Sequence, residues 1–332
     1  MEPKFKISVV VPFHGREDFL RLCLASLCIQ TLDPDDYEVI VVDDGGYLSA
    51  AAILELGQRP VRIMRKSHTG VCRTRNMGIN QARSELIVLF DYDCVASQTL
   101  LQRYVKFFAD NTAIAGAGGT VVSIGDKKLL SAYAGRRGLL SGPIRIGNSI
   151  QSVITANACF RKSALQLVGL FDTLFDDYFH SCGGEDADLS YRLLQRGFML
   201  GSCPQAIASH NHRINFKEFV IQQTRNGEGL LVHARLRDRK LSDFDLPEPR
   251  LLPIVFHIVQ FLFLPTPSSP RSLMARCRDY WHDSRLSWFE KLAFPCVDLL
   301  RRCCYLAGLV RGQRGLRLST AYSVNTSSRI ES

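Results

Sequence analysis

Three stretches in the first hundred residues are almost wholly apolar: ISVVVPF from Ile7, EVIVVDD from Glu38 and ELIVLFD from Glu85. Runs of this length, rich in β-branched residues and bounded by turn residues, predict strands covered on both faces, as in a parallel sheet. A shorter run, PVRIMRK, predicts a strand between the second and third of them. Helical patterns separate the runs, from about Asp18 to Gln30 and across GVCRTRNMGINQAR from Gly70. The resulting βαβαβαβ alternation is the signature of an α/β domain.

The strand ends carry the polar chemistry. The second strand closes on Asp43 and Asp44, and the last is followed by Asp91 and Asp93 in LFDYDC. Ligands of open α/β sheets bind outside the carboxyl ends of the strands. Two acids one residue apart there suit a divalent cation and its diphosphate. Acids also end strands as turn formers and helix caps, and that reading stays open for each pair. Arg73, Arg75 and Asn76 fall in the first turns of the helix after Gly70, where an anion or plain solvent would be accommodated. Neither GxGxxG nor GxxxxGK[ST] occurs, which removes the main support for dinucleotide and P-loop folds. A second acidic pair, Glu185 and Asp186, opens a helical stretch in GGEDADLSYRL. Acids at a helix start are favoured by its dipole, while Gly183 and Gly184 would let the backbone approach a bound sugar.

In order, SVVVPFHGRE, VIVVDDGG, GVCRTRNMGINQA, LFDYDC, TANACFRKSALQLVGLFDTLF and GGEDADLSYRLLQRG make the region from about residue 5 to 212 resemble the family 2 glycosyltransferases. The resemblance implies a GT-A type fold: a Rossmann-like mixed sheet flanked by helices, with a C-terminal helical appendage here. It implies a nucleoside-diphosphate sugar donor, with a UDP-sugar favoured, and a glycan or lipid-linked acceptor. Pro12, Phe13, Asp43, Asp44, Arg75, Asp91 and Asn157 would line the nucleotide sugar. Asp93, Asp91 and His210 would hold Mn²⁺ or Mg²⁺, with His212 as the alternative to His210. Asp186 would be the general base, with Glu185 beside it. Two departures, VDDGG for the commoner VDDGS and CRTRN where an alanine often precedes the arginine, remove no charged group. A silent sugar-nucleotide binder on the same fold and a nucleotidyltransferase are the rival readings. The three acids Asp91, Asp93 and Asp186 count against the first, and the missing Gly-rich loop after the first strand counts against the second.

Composition bears chiefly on the remainder of the chain. With 332 residues and 46% hydrophobic content, there is material for one catalytic domain, expected over 1–245, and an appendage over 246–318. Residues 319–332 are polar and Ser-rich and read as a disordered tail. Eleven scattered cysteines without a CxxC read as small core residues of a reducing compartment. The N-terminus shows no apolar secretory segment, so a cytoplasmic location is expected. From Arg250 onward, twelve Lys or Arg stand against five Asp or Glu, so seven of the chain's nine net positive charges lie there. These charges are interleaved with long apolar runs, a texture unlike a nucleic-acid face. Leu251–Leu264 and Trp288–Val310 read as amphipathic helices. In the second, Phe289, Leu292, Val297, Leu300 and Cys304 oppose Lys291, Asp298, Arg301 and Arg302, with a kink at Pro295. Such helices fit the cytoplasmic face of a membrane, or a hairpin packed on the catalytic domain. Gln223 and Arg225, in the preceding helical stretch, either pack or face an acceptor.

Overall fold

The computed structural model describes residues 5–58, 60–124, 129–137, 142–146, 149–177, 183–211, 215–238 and 273–327. The chain divides into two compact units. The first comprises Met1–Asp126, Ala134–Asp176 and Glu185–Arg213; the second comprises Lys127–Tyr133, Asp177–Gly184 and Ile214–Ser332.

In the first unit the predicted alternation is present. It runs β1 (Ile7–Phe13), α1 (Glu17–Cys28), β2 (Tyr37–Asp44), α2 (Ala50–Leu56), β3 (Val61–Lys66), α3 (Val71–Gln81) and β4 (Leu86–Phe90). Every residue of β1, β2 and β4 is buried, which is why these strands read as unbroken apolar runs. After β5 (Cys94–Ala96), α4 (Leu100–Asp110) and β6 (Ile114–Ile124), a small hairpin forms from β7 (Ile144–Ile146) and β8 (Ser149–Ser152). Helix α5 (Leu129–Arg137) precedes that hairpin. Then follow β9 (Asn157–Arg161), α6 (Lys162–Leu167), α7 (Leu174–Asp177), α8 (Glu185–Gln195) and β10 (Met199–Asn211).

Eight strands form one mixed sheet in the order β3-β2-β1-β4-β9-β6-β10-β5. Strands β3, β2, β1 and β4 are parallel, and β9 runs antiparallel to both β4 and β6. The chain therefore winds outward from β1 in one direction through β2 and β3, and in the other through β4. That reversal leaves a crevice at the carboxyl ends of β1 and β4. Pairing Phe90 with Asn157, and Cys94 with His210, brings the late chain to the same edge as Asp91 and Asp93. The α/β fold and its mixed sheet are those expected from the sequence.

The second unit contains α9 (Phe216–Leu236), α10 (Leu273–His282) and α11 (Trp288–Ser327). A capping box starts α9, in which Asn215 Oδ1 accepts from the Glu218 amide at 2.9 Å and Glu218 Oε2 from the Asn215 amide at 3.2 Å. Glycines let α9 and α11 approach closely. A methyl group at Gly227 would overlap the Tyr305 carbonyl oxygen, and one at Gly308 would overlap that of Thr224. Gln223 is buried there and accepts from Arg301 Nε at 3.0 Å, so it packs, whereas Arg225 is exposed.

The faces expected for α11 are corrected by the structure. Asp298, assigned to the polar side, is buried and accepts from Tyr133 Oη at 2.7 Å and Tyr280 Oη at 2.8 Å, with Arg276 Nε at 3.4 Å. Three partners offset its desolvation, so the side carrying Asp298 and Arg302 faces inward with Val297 and Cys304. Phe289 and Leu292 face outward. Pro295 sits inside this helix. The segment 251–264 lies outside the described residues, and α11 overlaps the expected tail as far as Ser327. No helix among the described residues is long and apolar enough to cross a membrane. Replacing Gly308 by Val should cost about 1–3 kcal/mol or more through overpacking, read as a lower urea midpoint; an unchanged midpoint would contradict the close α9–α11 crossing.

Candidate active site

Arg75, on the second turn of α3, is buried at the centre of the site. Its Nη1 donates to Glu185 Oε1 at 2.8 Å and its Nη2 to Asp91 Oδ1 at 3.3 Å, while Asp186 Oδ1 lies 3.7 Å from Nη1. Phe171 lies under the guanidinium, 5.3 Å from its carbon to the ring centre. Burial opposes the charge of Arg75, but Glu185, Asp186 and Asp91 outweigh it and hold the group firmly protonated. The reverse holds for the acids. Burial, then the neighbouring Asp186, raise the Glu185 carboxyl from 4.5 to about 7 against the pull of Arg75. Burial raises Asp91 as well, opposed by Arg75 and reinforced by Asp93 and Asp186.

Asp186, at the start of α8, is held by Thr155. The threonine hydroxyl donates to Oδ1 at 2.6 Å and its amide to Oδ2 at 3.2 Å. This fixes the orientation of a carboxylate that stays partly open to solvent. Asp188, two residues on, is instead sealed and paired with Arg192 at 2.7 Å.

Asp93 and His210 meet at the β5–β10 pairing, with His210 Nε2 3.2 Å from Asp93 Oδ1. Cys94 completes a cluster close enough to surround a cation, but its buried thiol is pushed well above its usual range by desolvation. The available donors are thus carboxylate oxygens and an imidazole, a set that suits a hard divalent cation such as Mn²⁺ or Mg²⁺. Asp93 remains partly accessible to an incoming ligand, whereas His210 is nearly buried. His212 lies outside the described residues.

At the end of β2 the two acids differ. Asp43 is a turn former, accepting from the Tyr47 amide at 3.0 Å, the Leu48 amide at 3.1 Å and Arg65 Nε at 3.3 Å. Asp44 accepts from Lys66 Nζ, from the Thr69 and Gly70 amides at 2.9 and 3.1 Å, and meets His68 Nδ1 at 3.1 Å. Burial opposes its charge, yet these donors hold its carboxyl below the usual range. His14 and His68 stack with ring centres 4.3 Å apart, and Tyr47 meets His14 edge-on at 4.7 Å. Pro12 and Phe13 are buried at the end of β1, with Phe13 in the core against Tyr92. The rings of His14, Tyr47 and His68 are exposed at this strand end.

Asn157 is buried within the sheet. Its amide donates to the Ala206 and Thr120 carbonyls at 2.9 and 3.2 Å and accepts from Tyr104 Oη at 3.0 Å, which spends it on holding β9 between its neighbours. The first amides of α3 are also taken. Asp176, fully sealed, accepts from the Cys72 and Arg73 amides at 3.0 and 2.8 Å. Gly70, with φ +107°, has no side chain because Asp176 occupies that space. The chain's own carboxylate thus stands where a ligand anion was one of the sequence-based readings. Arg73 Nη1 donates to the Thr173 carbonyl at 3.4 Å, and Asn76 bonds both the carbonyl and the amide of Phe171. Thr155, Asp176, Lys66, His14 and His68 escaped the sequence reading. Their partners lie up to 104 residues away, so no local pattern marks them.

A family model described as Glycosyl transferase family 2 matches residues 8–169. The pre-mycofactocin glycosyltransferase of Mycobacterium tuberculosis is 25% identical over 224 residues, covering 65% of this chain and 45% of that protein. The chondroitin synthase of Escherichia coli is 26% identical over 240 residues, covering 61% of this chain and 34% of that protein. The chain thus spans less than half the length of these curated relatives. Among solved structures, a mannosyltransferase from Pyrobaculum calidifontis in complex with GDP-Man and Mn²⁺ superposes with a TM-score of 0.57 at 17% identity, covering 94% of this chain and 88% of that one. Its likeness supports the GT-A type fold of the mixed sheet and its helices. With the motif order, the family match and the mixed sheet in agreement, residues 8–169 carry a glycosyl transferase family 2 domain.

Proposed function

We propose that this glycosyltransferase moves a sugar from a nucleoside-diphosphate donor, UDP-linked by preference, to a hydroxyl of a glycan or lipid-linked acceptor, with inversion at the anomeric carbon. The reading places the reaction at the cytoplasmic face of a membrane, in synthesis of a cell-surface polysaccharide or glycoconjugate. The observation that carries it is the meeting, around Arg75, of Asp91 with Glu185 and Asp186, from segments almost a hundred residues apart. Strand-end acids that served only as turn formers would not need to converge on one buried cation.

In this reaction the acceptor oxygen attacks the anomeric carbon as the bond to the diphosphate breaks. Asp186 takes the acceptor proton, with Thr155 fixing which lone pairs of the carboxylate face the hydroxyl. Arg75 Nη1, 3.7 Å from Asp186 Oδ1, places positive charge beside that carboxylate. The exposed edge of His14 and His68, beside Asp44, receives the nucleobase and ribose. Asp93, Asp91 and His210 would hold a divalent cation, which supplies Lewis-acid stabilisation of the departing diphosphate. The solved mannosyltransferase, bound to GDP-Man and Mn²⁺, supports that choice.

A panel of UDP, GDP and dTDP sugars tests the assignment by release of free nucleotide with Mn²⁺, Mg²⁺ or EDTA. One donor should turn over with metal, and both EDTA and Asp93→Ala should abolish the signal. Silence across the panel, together with no metal-dependent nucleotide binding, would favour a non-catalytic binder instead. Asp186→Asn should keep donor affinity by calorimetry while turnover falls about 10²- to 10⁴-fold, the usual worth of a general base. Undiminished turnover would remove Asp186 from that role.

A further inference from the structure

Helix α11 turns an apolar stripe to solvent. Trp288 is 71%, Phe289 63% and Leu292 48% exposed, and Cys296, Cys303 and Ala307 continue the exposed positions along the helix. At about 100° per residue, these six fall within an arc of roughly 100°, the width of a core-facing stripe. No charge interrupts them. The inward side of the same helix is already covered, with Phe294, Val297, Asp298 and Leu309 buried. Helix α10 adds Met274 and Trp281, seven residues apart on one face and 61% and 55% exposed. Large apolar side chains gathered in this way mark an interaction surface, unlike singly scattered ones.

Charge selects the occupant. Between Leu273 and Ser327, nine Lys or Arg stand against four Asp or Glu; Asp298, Arg276 and Arg302 are buried, which leaves the balance of the others positive. Arg278 is exposed, and the side chains of Arg285 and Arg311 are 72% and 68% exposed. A second copy of the chain would oppose like charges across such a face, whereas anionic headgroups complement it. Tryptophans flanked by basic residues are at home at the boundary between headgroups and acyl chains. Because no described helix can cross a bilayer, contact would be parallel to its plane.

We propose that α10 and the outward stripe of α11 form an in-plane docking surface for an anionic lipid bilayer. The proposal rests on this exposed face and not on the assignment of the catalytic residues. It replaces the face first expected from the sequence, of which Val297 and Cys304 are buried.

The chain's two tryptophans, Trp281 and Trp288, both lie on this surface, so intrinsic fluorescence reports on it directly. With the full chain, vesicles of mixed phosphatidylglycerol and phosphatidylcholine should shift the emission to the blue, and brominated acyl chains should quench it. Phe289→Glu combined with Leu292→Glu leaves both reporters in place and should weaken vesicle binding by roughly 100-fold, from the lost burial of two large side chains. Retained nucleotide binding by that variant would show that it folds. Unchanged emission with vesicles would overturn the proposal, as would an equal response to phosphatidylcholine alone. So would emission already blue-shifted without lipid, meaning that a second copy, if the shift depends on protein concentration, or residues 239–272, if it does not, cover the face.

Discussion

Arg75 donates to Glu185 and Asp91 and lies 3.7 Å from Asp186, with its guanidinium sealed from water. Removing such an ion from solvent costs several kcal/mol. Two unit charges about 4 Å apart gain on the order of 4 kcal/mol at an effective dielectric near 20, so more than one partner is needed to offset burial. The same arithmetic applies to the acids. Without the guanidinium, Asp91, Glu185 and Asp186 would repel one another inside a poorly solvated crevice. Arg75 therefore ties the acids that follow β4 to those that open α8.

Around this contact the chain satisfies its own site. Asp176 supplies the anion at the start of α3, Lys66 and two amides neutralise Asp44, and Thr155 fixes Asp186. Each carboxylate is thereby held in one orientation before a donor arrives, which lowers the reorganisation needed during reaction. The groups left partly accessible are Asp91, Asp93, Asp186 and the stacked imidazoles of His14 and His68. These are the ones that a metal, an acceptor hydroxyl and a base would reach.

The strands were legible because burial on both faces writes itself into local sequence as an unbroken apolar run, as in β1, β2 and β4. The site acids were legible because strand ends and helix starts are local features too. Orientation was not. That Asp186 depends on Thr155, 31 residues earlier, and that Asn157 is a staple between strands, follow from pairings between distant segments. The same limit explains α11, where charge alone placed Asp298 on a solvent face. Its partner Tyr133 is 165 residues away, and Asp298 and Arg302 face inward beside Val297 and Cys304 while Phe289 and Leu292 face outward.

A double-mutant cycle on unfolding free energy, with Arg75→Met and Glu185→Gln, tests the dependence of the site on the buried guanidinium most directly. The account predicts a loss of about 3–5 kcal/mol for Arg75→Met alone, because three carboxylates lose their counter-ion. Adding Glu185→Gln should then recover part of that loss, giving a coupling of at least ~1 kcal/mol. Strictly additive effects of the two substitutions would contradict it.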